Sequence, residues 1–239
     1  MSGHNKWSQI KHKKAKTDAQ KGQAFSKVVR EITIAVKLGG GTDPSANNRL
    51  RMALQKAKEV NMPSENIKRA IQKGDGAGDS SSYEEVVFEG YGINGVAIMV
   101  EALTDNRNRT VPNMRLIFGK YGGNLGTPGA VSYLFDHKAL FVFPPLSNES
   151  DIMEVALDLD ADDVSLQDDG SIEVVMPPDR YLDAVDAFAK ASLEYAHGAV
   201  EMIPQTTVTL TGKDYEMTEK LLESLEADED VQAVYSNLA

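Results

Sequence analysis

Two groups of residues in this chain could do chemistry, and in both the chemistry is the capture of anions. The first is a set of cations. Lys6, Lys11, Lys13, Lys14 and Lys16 crowd the N-terminus, with His12 among them and a single aromatic, Trp7. Lys27, Arg30 and Lys37 follow at i, i+3 and i+10, and Arg51 and Lys58 stand seven apart. At helical periodicity each set shares a face opposite an apolar stripe. Together they can track a phosphate backbone. Nothing in their pattern specifies bases, so sequence-independent contact is expected. Trp7 either stacks on a base or docks on the protein's own bundle. The second group is Thr104-Asp105-Asn106-Arg107-Asn108-Arg109-Thr110. Pro112 is tolerated in a helix's first turn, which predicts a helix starting close to Arg109 or Thr110. Arg107 and Arg109 then stand beside the positive end of the helix dipole, where cations are disfavoured. A bound anion would relieve the conflict, and guanidinium forks suit phosphate. Ion pairs with the surrounding acids would relieve it equally.

Other chemistries find little support. Gly90-Tyr91-Gly92-Ile93-Asn94-Gly95 fits a dinucleotide fingerprint literally, but its pattern runs on into a strand, leaving no helix N-terminus for a pyrophosphate. Asp158-Leu159-Asp160-Ala161-Asp162 begins like a calcium loop, yet Asp163 occupies the position that requires glycine and Asp169 the position that requires glutamate. The absence of cysteine excludes disulfides, thiolate metal sites and Cys nucleophiles, and the four histidines have no metal-ligand spacing. No nucleophile elbow, zinc-protease or phosphate-loop motif occurs. The expectation is a protein without catalysis, cofactor, metal or small-molecule substrate.

The elements that must hold these cations follow from charge and periodicity. Residues 1–75 carry 16 of the chain's 25 Lys+Arg and 6 of its 36 Asp+Glu, leaving 9 basic against 30 acidic side chains for residues 76–239. A basic arm on an acidic body is the footprint of a nucleic-acid binder. Residues 1–17 read as an arm too charged and too polar to fold alone. Three amphipathic helices follow. The first, near residues 18–38, has Phe25, Val28, Val29, Ile32, Ala35 and Val36 on one stripe. The second is capped by Asp43 with Pro44 in its first turn, and the third opens at Pro63-Ser64 and stops at Gly74. Beyond the linker 74–82 strands predominate: a hairpin around Asn94-Gly95, a helix near 110–121, and then β-α-β-β-α-β, the ferredoxin-like order. A strand at 207–210, a helix at 215–225 and a strand at 231–235 close the chain. The predicted fold class is α+β. A basic arm and helical bundle (1–75) precede a central α/β domain (83–134 plus 205–239), into which a ferredoxin-like domain (135–204) is inserted. No run approaches the roughly 18 apolar residues of a membrane span, and the N-terminus has no apolar secretory core. The cytoplasm is the expected compartment.

Several of these segments together resemble the YebC family. The likeness is carried by Gly3-His4-x-Lys6-Trp7, Ile10-Lys11-His12-Lys13-Lys14, Asp18-Ala19-x-x-Gly22, Asn61-Met62-Pro63, the stretch Leu103 to Thr110, and Gly122-Gly123-Asn124-Leu125-Gly126. It extends over essentially the whole chain. One departure is Ile93-Asn94, where the family has Pro-Gly. The resemblance implies a helical first domain, two α/β domains and no catalysis. Its members include probable transcriptional regulatory proteins and relatives of a mitochondrial translational activator of cytochrome oxidase. Two roles follow from it: a DNA-binding transcriptional regulator, or a ribosome-associated factor that contacts ribosomal RNA and aids synthesis of difficult peptide stretches such as proline runs. In the second, Arg107, Arg109 and Asn124 would reach a functional centre.

Overall fold

The computed structural model describes residue 6, residues 18–76 and residues 83–239. Residues 1–5 and 7–17 of the arm and residues 77–82 of the linker lie outside the described residues. Three helices come first: α1 (Asp18–Leu38), α2 (Asn48–Glu59) and α3 (Ser64–Asp75). Their shared core contains Val28, Ile32, Ala35, Val36, Leu50, Ala53, Ala57, Met62 and Ala70, with Phe25 and Val29 packed against it. This is the stripe that 3.6-residue periodicity picks out. Gly74 lies in the last turn of α3, one residue before its end. A Cβ there would stand 2.6 Å from the carbonyl oxygen of Thr33, so glycine lets α1 and α3 approach.

The second helix begins four residues later than expected. Asn47 is its cap, with Oδ1 accepting from the backbone N–H of Leu50 at 2.9 Å. Asp43 instead accepts from the N–H and hydroxyl of Ser45 in a turn of its own. Asn47 prevails because its amide also donates to Ala35 O and Gly41 O, each at 2.8 Å, fastening the loop to α1.

Two four-stranded antiparallel sheets make up the rest. In the first, β1 (Glu84–Tyr91) and β2 (Ala97–Thr104) form the expected hairpin, with Asn94 and Gly95 at φ 54° and 79°. Helix α4 (Arg107–Lys120) leads to β3 (Asn124–Leu125), and α7 (Gly212–Glu226) leads to β8 (Val231–Ser236). The strand order is β3-β1-β2-β8. Met114 and Phe118 of α4 and Leu221 and Leu225 of α7 are fully buried. In the second sheet, β4 (Phe135–Phe143), α5 (Glu149–Asp158), β5 (Asp163–Leu166), β6 (Ile172–Met176), α6 (Tyr181–Lys190) and β7 (His197–Pro204) give the order β5-β6-β4-β7. Residues 207–210 are not a strand. Only a single parallel bridge, Val208 to Leu238, forms there, because no neighbouring strand offers a ladder.

The described residues group into two compact units: Thr17–Ser132 with Thr211–Ser236, and Tyr133–Leu210 with Asn237–Ala239 and Lys6. Among them, no helix is long and apolar enough to cross a membrane.

Candidate nucleic-acid interface

The cations of the bundle divide by what they touch. Lys27 donates from Nζ to the carbonyl oxygen of Glu226 at 2.6 Å. Arg30 donates to the carbonyl oxygen of Glu229, and its guanidinium stands 3.5 Å from Asp230 Oδ1. Both therefore spend donors on the acidic turn between α7 and β8. Lys37 is exposed in the last turn of α1, a position the dipole favours. Lys58 is exposed near the end of α2, while Arg51 is half-buried with its Nε out of reach of any acceptor. Within the stripe of Lys27, Arg30 and Lys37, at least the first two are thus turned onto the protein itself. Lys6 sits in the other unit, 2.7 Å from Glu201. Trp7, Lys11, His12, Lys13, Lys14 and Lys16 lie outside the described residues.

The Thr104–Thr110 segment is an organised polar centre. Helix α4 begins at Arg107, earlier than Pro112 suggested, because Asn106 caps it by accepting from the N–H of Arg109 at 3.2 Å. Pro112 falls in the second turn instead, on an exposed face. Arg109 donates from Nη2 to both carboxylate oxygens of Asp230, at 3.1 and 2.9 Å, and to Asp105 at 2.9 Å. The hydroxyl of Thr110 donates to Asp230 at 2.8 Å, with Thr104 at 3.4 Å. Burial pushes the Asp230 carboxyl up, but Arg109, Thr110 and Arg30 outweigh it and hold the group below its ordinary value. The same bonds with Asp230, followed by those with Asp105, raise Arg109. A carboxylate of the chain itself thus stands at the positive helix end. Arg107 is different: it is largely exposed and stands 3.9 Å from Glu84. Asn124 is not brought to either arginine. It lies in β3, beyond the far end of α4, about 20 Å away at the rise of a 14-residue helix.

Three acids central to this architecture escaped sequence reasoning: Asp230, Glu89 and Glu201. Glu89 is buried in β1 and accepts from the N–H groups of Gly129, Val131 and Ser132, each at 2.8 Å. Burial raises its carboxyl, and the three donors more than offset that, so it is held below its ordinary value. The available signal was an acid flanked by apolar residues within a strand, Phe88 and Gly90 beside Glu89 and Val200 and Met202 beside Glu201.

Residues 5–77 match the family model described as the TACO1/YebC protein N-terminal domain, and residues 83–238 match the TACO1/YebC second and third domain. A protein of Aromatoleum aromaticum named "probable transcriptional regulatory protein" is 50% identical over 237 residues, covering 99% of this chain and 98% of its own. One of the same name from Paraburkholderia phytofirmans is 48% identical over 239 residues, 100% of this chain and 98% of its own. Among solved structures, a conserved hypothetical protein of Aquifex aeolicus superposes with a TM-score of 0.85 at 42% identity, covering 98% of this chain and 97% of that one. On this evidence the chain belongs to the TACO1/YebC family.

Proposed function

We propose that this protein is a non-enzymatic, DNA-binding regulator of transcription that works in the cytoplasm and grips phosphate through residues 1–75. The observation that carries the reading is charge segregation. A segment with 16 basic and 6 acidic side chains is joined to a remainder with 30 acidic and 9 basic ones, and phosphate neutralisation is what such a segment does best. The names of the relatives, probable transcriptional regulatory proteins, support the same role. Lys37, Arg51 and Lys58 of the bundle join the arm's Lys6, Lys11, Lys13, Lys14 and Lys16 as the proposed contacts, with Trp7 and His12 beside them. Arg107 is retained as a candidate anion or partner contact.

The test is a salt titration of duplex binding by the full chain. If about five phosphates are neutralised, log K should fall against log salt with a slope near −4 to −5. A slope shallower than about −2 would remove the arm as the contact. Parallel titrations with structured RNA and purified ribosomes separate the readings. Tight ribosome binding without duplex binding would replace transcription with translation.

We also read residues 135–204 as a ferredoxin-like domain inserted into a central domain of residues 83–134 and 205–239, with residues 1–75 as a third. The β-α-β-β-α-β succession and the antiparallel order β5-β6-β4-β7 support this. Limited proteolysis should release 135–204 as a resistant fragment.

A further inference from the structure

Residues along β4 alternate between the two faces of its sheet. Phe141 and Phe143 turn to the helical side, their rings 5.1 and 5.0 Å from that of Phe188 in α6. Leu140 and Val142 therefore turn to the opposite side, yet they are only 5% and 0% exposed. Directly opposed residues of antiparallel strands share a face. Val142 is paired with both Glu173 and His197, and Lys138 with Glu201. Four titratable groups thus border this apolar floor, and Glu201 among them is buried.

A buried carboxylate there requires a cation, since an uncompensated charge in such a place is strongly destabilising. Lys6 supplies it. Its Nζ is 2.7 Å from Oε1 of Glu201, and Nε2 of His197 is 3.4 Å from Oε2. Burial pushes Glu201 up, but His197 and Lys6 outweigh it and bring the carboxyl down to about 2. Burial raises Glu173, and Lys6 opposes that shift in part. One ammonium therefore acts on two carboxylates from different strands. Lys138, the other cation on this face, is 3.0 Å from Asp162.

We propose that Glu201, Glu173 and His197 form an ammonium-binding pocket whose ligand is Lys6 of the chain's own basic segment, and that phosphate binding competes with this docking. The pocket stands on the geometry alone; the competition rests on the nucleic-acid reading given above. One ammonium cannot sit on Glu201 and on a phosphate together. Every phosphate contact made by Lys6 therefore strips a buried carboxylate of its counter-charge. The acidic unit thereby holds the basic segment in check, lowering its apparent affinity by the fraction of molecules in which Lys6 is free.

Carbodiimide cross-linking of the full chain, read by peptide mass spectrometry, tests both parts. A Lys6–Glu201 link is expected in the free protein and should vanish when a short duplex DNA is saturating. Glu201→Gln should raise duplex affinity, by up to about tenfold if about one molecule in ten has Lys6 free. In a Lys6→Gln background the same change should add nothing. Absence of any link from Lys6 to Glu201 or Glu173 would overturn the pocket. A link that persists at saturating duplex would overturn the competition, as would unchanged affinity in a folded Glu201→Gln protein. Should Glu201→Gln fail to fold, Lys6→Gln decides alone: it should move the ring proton signals of His197, and unmoved signals sink the pocket. A chain that binds no nucleic acid would end the competition together with the functional reading, while the cross-link still judges the pocket.

Discussion

Arg107 and Arg109 look equivalent on paper and are not. Two residues apart near a helix start, they leave the helix in different directions, and only Arg109 meets Asp230. Removing Asp230 would leave Arg109, Arg30 and the Thr110 hydroxyl without their shared acceptor. Asp230→Ala is therefore expected to cost about 1–3 kcal/mol in chemical denaturation. Arg109→Ala should lower the melting temperature, whereas Arg107→Ala should leave it unchanged. If Arg107→Ala melts early as well, the distinction between the two is mistaken. Sequence could place the arginines but not choose between an external anion and an internal acid. The deciding carboxylate lies 121 positions away in the chain, and no local pattern announces it. The same hidden acids govern pH dependence. Glu201, Glu89 and Asp230 are all held below their ordinary values. As acid is added the unfolded chain takes up protons before the folded one does. Their stabilisation is complete above the ordinary carboxylate range and is lost as pH falls through the folded values. For Glu201 the window runs from 4.5 down to about 2, worth up to about 3 kcal/mol. Glu173, being raised, acts in the opposite sense, contributing at low pH and losing that contribution as pH rises through its folded value. Melting curves across this window should steepen toward acid in the parent and flatten in Glu201→Gln. An equal slope in both would discount the carboxylate.

At the scale of elements, periodicity was informative and caps were not. The stripe of Val28, Ile32, Leu50 and Ala57 needs only spacing to be seen, and the bundle core follows it. Helix starts depend on which of several nearby Asx residues acquires a partner. Asp43 beside Pro44 is the better local candidate, yet Asn47 caps α2 because α1 supplies acceptors to its amide. The failure at 207–210 has a similar cause: Thr-Val-Thr-Leu has strand character, but a strand needs a neighbour and the fold offers one bridge. The loop after β3 is another long-range construction. Glu89 organises it from β1 by taking three backbone donors, so Glu89→Ala should leave those N–H groups unsatisfied at a cost of about 2–3 kcal/mol. Hydrogen exchange at Gly129, Val131 and Ser132 should accelerate well beyond that of β2. Uniform acceleration throughout the sheet would mean that Glu89 supports the strand rather than the loop.

Across the whole molecule, the sorting of charge by residue number was visible from composition, but its internal use was not. Lys6, Lys27 and Arg30 each meet an acidic element of the chain, so the formal charge of the basic segment overstates what is available to a partner. Leu134 O accepts from the N–H of Gln205 at 2.9 Å, and Phe135 is paired with Pro204. The chain therefore leaves the segment between them within one hydrogen bond of where it entered. A stretch whose ends coincide can be gained or lost in a single recombination event without rerouting what flanks it, since closing so small a gap needs only a few linker residues. Replacing residues 135–204 by a short Gly-Ser bridge should leave a protein that still melts cooperatively and keeps the β3-β1-β2-β8 sheet by amide exchange. Loss of protection in β2 of that deletant would show the segment to be indispensable to its host, and an ancestor without it would then be hard to imagine.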